Sequence, residues 1–120
     1  MYRYQNNFDK VLSLLRDVEY EDIGYNLISK AILIITYYEL DELDALDPFM
    51  ESFRVFLNRH KNITNQRRRG YLNLIKYVKR LTRVTSGDKT SLEKLRQDIL
   101  RDRQITVNHE WLLEKIAELE

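Results

Sequence analysis

Apolar side chains recur about once per helical turn along most of the chain, and no long stretch alternates with the period of a strand. Phe8, Val11, Leu12, Leu15 and Val18 form one stripe, extended by Tyr4, and predict a helix over about Asn7–Val18. Glu21 and Asp22 supply anionic capping chemistry for a second helix, about Asp22–Leu40. There Ile23, Leu27, Ala31, Ile34 and Tyr38 make one stripe, with Ile28, Ile32 and Ile35 beside it. A helix apolar around most of its circumference is expected to be central and covered on several sides.

Glu39 to Asp47 reads as an acidic connector, with Asp47-Pro48 as a cap followed by proline at the first helical position. A helix beginning at Asp41 and bending at Pro48 fits equally. Phe49, Phe53, Phe56 and Leu57 form its inner face, and Arg59, His60 and Lys61 suit the negative end of its dipole. A fourth helix, about Thr64–Val84, carries Tyr71, Leu74, Ile75, Val78 and Leu81, and Ser86-Gly87 stops it. Asp88 caps a fifth, about Lys89–Arg103, with Leu92, Leu95 and Ile99 inward and a Thr90-x-x-Glu93 capping box. The last helix, about His109–Leu119, places Leu112, Leu113, Ile116 and Leu119 inward behind an Asn108 cap.

The intervening loops are short, so neighbouring helices should run antiparallel. The expected fold is all-α: an antiparallel stack of five to six amphipathic helices, either an αα-hairpin repeat-like array or a right-handed bundle. No low-complexity tract divides it, so residues 1–120 are expected to form a single helical domain.

Composition agrees with helices rather than changing the picture. Three glycines and one proline in 120 residues leave few breakers, and 43% apolar residues suffice for a core. With no cysteine there is no disulfide, thiolate metal site or thiol nucleophile, which suits a reducing, cytoplasmic setting. The apolar run Ala31-Ile32-Leu33-Ile34-Ile35 is too short to span a bilayer, and no membrane partner is expected.

Charge does change the picture. Residues 1–51 hold eleven acids and four bases, residues 52–87 ten bases and no acid, and residues 88–120 eight acids and six bases. Arg67, Arg68, Arg69, Lys76, Lys79, Arg80 and Arg83 are therefore the candidate contacts to a partner or to phosphate. Such bases could grip a nucleic-acid backbone through counterion release. They are spread along the chain, however, without the tight patch of a reading helix or helix-turn-helix spacing. The preferred expectation is that they face the preceding acidic stretch, an acidic neighbouring repeat, or another protein partner.

Enzyme and metal motifs are absent. His60 and His109 have no second ligand at helical spacing, and His109-Glu110 lacks the second histidine of a zinc protease motif. Ser86-Gly87-Asp88-Lys89-Thr90 resembles the end of a phosphate loop, but Asp88 interrupts the Gly-Lys step. The acids Glu39, Asp41, Glu42, Asp44 and Asp47 have no glycine among them to make a calcium loop. No catalytic residue, cofactor or metal ligand is expected.

Tyr37-Tyr38-Glu39-Leu40-Asp41-Glu42-Leu43-Asp44-Ala45-Leu46 resembles the middle of a tetratricopeptide-type repeat. In that repeat an aromatic pair ends one helix and a small residue near the start of the next permits close packing. The stretch from about Ala31 to Leu119, above all Leu92-Glu93-Lys94-Leu95 and Glu110 to Ile116, resembles the C-terminal segment of uncharacterised bacterial helical-repeat proteins. Asp41 stands where the repeat usually has glycine, and no second copy follows at a 34-residue offset. The resemblance implies a repeat-like capping segment of a longer chain. Its implied role is contact with an unidentified protein or upstream repeats, and a homo-oligomer is compatible with it.

Overall fold

The structure, a computed structural model, describes residues 23–120, and its described residues are helical with no strand. The helix expected over Asn7–Val18 lies outside them. Five α-helices follow: α1 (Ile23–Glu39), α2 (Leu43–Arg59), α3 (Asn65–Arg83), α4 (Lys89–Arg101) and α5 (His109–Leu119), with a 3-10 turn at Arg103–Ile105 between the last two. The chain divides into two units, one ending at Phe56 and one running from Leu57 to Glu120.

In the first unit, α1 and α2 are joined by a turn that closes on Asp41. The Glu42 amide donates to the Tyr37 carbonyl at 2.9 Å and the Asp41 amide to the Tyr38 carbonyl at 3.0 Å. This is the double closure that ends a helix on a left-handed residue, and Asp41 takes that conformation with φ of 58°. Helix α2 therefore begins well before Pro48, which sits inside it, and of the two readings the early start holds. Pro48 is exposed and removes one amide, so the helix continues through it at the loss of one backbone bond.

Leu27, Ile34, Leu46, Met50 and Phe53 are almost fully buried, each contributing roughly 1.5–3 kcal/mol of apolar burial. Aromatic contacts run from Tyr37 to Phe49 at 5.8 Å between centroids, then to Phe53 at 6.3 Å and Phe56 at 6.4 Å. Phe49 and Phe56 are only half-buried, so the inner face of α2 turns toward Leu46, Met50, Phe53 and Leu57.

In the second unit, α3 packs against α4, α5 and the 3-10 turn, and α4 packs against α5. Its expected stripe is buried throughout, with Tyr77 joining Leu74, Val78 and Leu81. Thr64 caps α3 by accepting from the Arg67 amide at 3.1 Å, which fixes the start that the sequence predicts. Gly70 lies where the segment 105–107 crosses α3: the Val107 amide donates to the Gly70 carbonyl at 3.2 Å. A Cβ there would lie 3.2 Å from the Val107 methyl, so a side chain at this position would press on the crossing segment. Asn73, buried beside it, donates to the Ile105 carbonyl at 3.0 Å.

Two caps differ from expectation. Asp88 caps α4 through the Ser91 amide at 3.2 Å, while Glu93 turns along the helix to Arg96 and Gln97, so the Thr90–Glu93 box does not form. Thr90 already lies inside the first turn and cannot act as the cap. Asn108 precedes α5 in the left-handed region, φ 59°, with no side-chain cap bond. Its contribution is that backbone conformation, which asparagine tolerates better than most residues. Gly87, at φ 85°, carries the turn after α3, and its amide donates to the Leu119 carbonyl at 2.9 Å. The same turn that separates α3 from α4 thus closes the C-terminal end of α5.

Candidate functional site

The seven candidate bases do not act as one patch. Arg68 is spent on the chain's own backbone. Its guanidinium donates to the carbonyls of Leu57 at 2.7 Å, His60 at 2.7 Å and Ile63 at 3.1 Å, and to Asn65 Oδ1 at 2.8 Å. These carbonyls end α2 and line the turn into α3, where no helical amide is left to satisfy them. Lys76 and Arg80 are drawn to acids of the α4 end: Lys76 lies 3.9 Å from Asp102, and Arg80 donates to Asp98 at 2.7 Å. Lys79 is half-buried, while Arg67, Arg69 and Arg83 are exposed. Arg67 stands nearly opposite Arg69 around a helix of 3.6 residues per turn.

Among the described residues, Asp98 and Asp102 of the downstream segment pair with the basic helix. Asp98 collects Arg80, Lys94 at 3.5 Å and Arg101 at 3.2 Å. The Tyr77 hydroxyl, fully buried, lies 3.2 Å from the Asp98 carbonyl and donates to the Asp102 carboxylate. Hydrogen bonding from Arg80 holds the Asp98 carboxyl below the usual carboxylate range, and Tyr77 does the same for Asp102. Burial, then the bond to Asp102, pushes the Tyr77 phenol up to about 12. All three shifts move away from neutrality. The cluster ties α3 to α4 and its end.

Two open clefts flank α3. One, of about 440 Å³, is lined by Gln66, Arg67 and Tyr71 of α3 and by Gln104, Ile105 and Thr106 opposite. The other, of about 330 Å³, lies between the end of α3 and the start of α4. Among the described residues no group of three or more His, Asp or Glu side chains is disposed to hold a metal ion, and no helix is long and apolar enough to cross a membrane.

The first unit presents a different surface. Tyr25, Ile28 and Ile32 follow one another at helical spacing along α1 and are 63%, 50% and 41% exposed. The pattern predicts Ile28 and Ile32 as a second covered stripe; the structure leaves both open. Lys30 and Glu39 are the only charged residues of α1. Lys30 is half-buried, its ammonium 4.8 Å from the centre of the Phe56 ring, and burial lowers its pKa.

Comparison of the chain with protein-family models, with curated proteins and with solved structures found no match.

Proposed function

We propose that this chain is a non-enzymatic helical module of the cytoplasm that makes protein–protein contacts, with the open apolar face of α1 as its contact surface. The observation that carries the reading is the exposure of Ile28 and Ile32 on a helix with only two charged residues. Large apolar side chains grouped on one face mark an interaction site far more often than isolated ones do. A helical hairpin with one uncovered face is also what a unit of a repeat stack offers to its neighbour. The occupant we assign is the apolar face of a helix from another protein or an upstream repeat. A basic margin on it would suit the acids Glu39, Asp41, Glu42 and Asp44 at the end of the stripe. Nucleic-acid binding through α3 has less support, because Arg68, Lys76 and Arg80 are engaged within the chain.

A photo-crosslinking residue placed at Ile28 in the full chain, in cells, tests this. The expected result is one discrete crosslinked protein, lost when Ile32→Glu is added and kept with the exposed control Arg69→Glu. Crosslinks confined to residues 1–22 of the same chain would show that the face is internal and would overturn the proposal. Crosslinks insensitive to Ile32→Glu would overturn it as well.

A further inference from the structure

The cleft between the end of α3 and the start of α4 concentrates positive charge beyond what its acids balance. Arg80, Arg83 and Val84 form one wall, Thr90, Ser91, Lys94 and Leu95 the other, and no acid lines it. The nearest counter-charge, Asp98, is shared by Arg80, Lys94 and also Arg101. Arg83 forms no ion pair among the described residues. Asp88, at the cap of α4, is held by the Ser91 amide at 3.2 Å. Three basic residues, two of them also paired with Asp98, and two hydroxyl residues thus line a space of about 330 Å³.

We infer that this cleft binds a phosphate monoester. A compact dianion suits the Arg83 guanidinium, two further cations that share a single carboxylate, and two hydroxyl donors, which together can reach several oxygens. A polynucleotide would instead need cations spaced along a track. The helix does not supply one: Arg68 is turned to carbonyls and Lys76 to Asp102, and the exposed Arg67 and Arg69 stand nearly opposite one another around the helix. The ligand is a small phosphorylated molecule or a phosphorylated side chain, which share this headgroup. The inference is independent of the α1 surface. The sequence singles out Arg80 and Arg83 as candidate contacts and sets aside the stretch from Ser86 to Thr90; it does not single out Ser91 or Lys94.

The full chain is titrated with inorganic phosphate at low salt, followed by amide chemical shifts, and then with O-phosphoserine, ribose 5-phosphate and a single-stranded oligonucleotide. Phosphate is expected to saturate and to shift the amides around Arg83, Ser91 and Lys94. Arg83→Ala and Lys94→Ala should each weaken it about tenfold, as loss of one charge-assisted contact implies. Arg69→Ala should leave it unchanged, and urea midpoints verify that all variants are folded. Tighter binding of O-phosphoserine supports a phosphorylated side chain, and tighter binding of ribose 5-phosphate supports a small molecule. No saturable shift, or binding indifferent to Arg83→Ala and Lys94→Ala, overturns the site. So does oligonucleotide binding that Arg69→Ala weakens as much as Arg83→Ala does, since the bases would then act as a track.

Discussion

Removing the Arg68 guanidinium should destabilise the second unit by about 3 kcal/mol, although the residue stands in a run of three arginines that reads as a solvated face. The figure follows from its partners. It donates to three carbonyls, at 2.7, 2.7 and 3.1 Å, all of them left over where α2 gives way to α3. Hydrogen bonds to a charged group contribute about 1.5–3 kcal/mol each, and bonds made by one side chain add less than fully. Half-burial of the side chain reduces the sum further, which leaves about 3 kcal/mol. Arg68→Ala would abandon all three carbonyls. Arg68→Lys keeps the charge but replaces a planar fork with a point donor, so it should recover only about a third of the loss. The assay is urea unfolding of the full chain followed by circular dichroism, with Arg69→Ala as the exposed neighbour, expected within about 0.5 kcal/mol of wild type. If Arg68→Ala unfolds no more easily than Arg69→Ala, the guanidinium does not close the α2–α3 turn.

Asp41→Gly should stabilise the chain by about 0.5–1 kcal/mol in the same assay, because the residue is left-handed at φ 58° and glycine adopts that conformation without a Cβ clash. Gly87→Ala should cost about 1 kcal/mol by urea midpoint; at φ 85° a Cβ there meets no neighbour, so the loss would be backbone strain alone. Stability should also fall at both ends of the pH range, read as thermal midpoints. Asp98 and Asp102 titrate lower in the folded chain than unfolded, so their contribution is full above about pH 4 and is lost as pH falls through the folded values. Tyr77 titrates at about 12 when folded and near 10 when unfolded, so its contribution is full below about pH 10 and is lost as pH rises toward 12. Tyr77→Phe should flatten the alkaline limb and also weaken the Asp102 part of the acid limb, leaving the Asp98 part in place.

Periodicity identified the helices of the described region because their apolar stripes are long and their ends are marked by residues with one dominant use. Asp88 was legible as a cap and performs that role, while the Thr64 cap emerges only from the structure. Thr90 and Asn108 show where the signal stops. Whether a hydroxyl or an amide caps depends on the backbone angles of that residue, which composition does not reveal. Pro48 fitted two helix starts, and the choice fell to the left-handed turn at Asp41, seven residues earlier, where the Asp41 and Glu42 amides close on Tyr38 and Tyr37. The stripe Ile28–Ile32 was visible as apolar, but a repeat of 3.6 residues shows which positions share a face and not which face has a neighbour. The basic run was legible as charge alone. Nothing in Arg68 itself distinguishes a guanidinium turned to carbonyls from one turned to solvent, and the acids that take Lys76 and Arg80 lie more than a helix away in sequence.

The double variant Ile28→Ser/Ile32→Ser tests the central claim, that α1 carries a contact surface rather than an unfinished part of the core. Its unfolding free energy, measured in urea on the isolated full chain, is expected to stay within about 0.5 kcal/mol of wild type, as for exposed positions, whereas Ile34→Ala, fully buried on the same helix, should cost about 2–5 kcal/mol. A loss for the double variant as large as that for Ile34→Ala would mean that the chain already covers this face itself, and the contact surface would not exist.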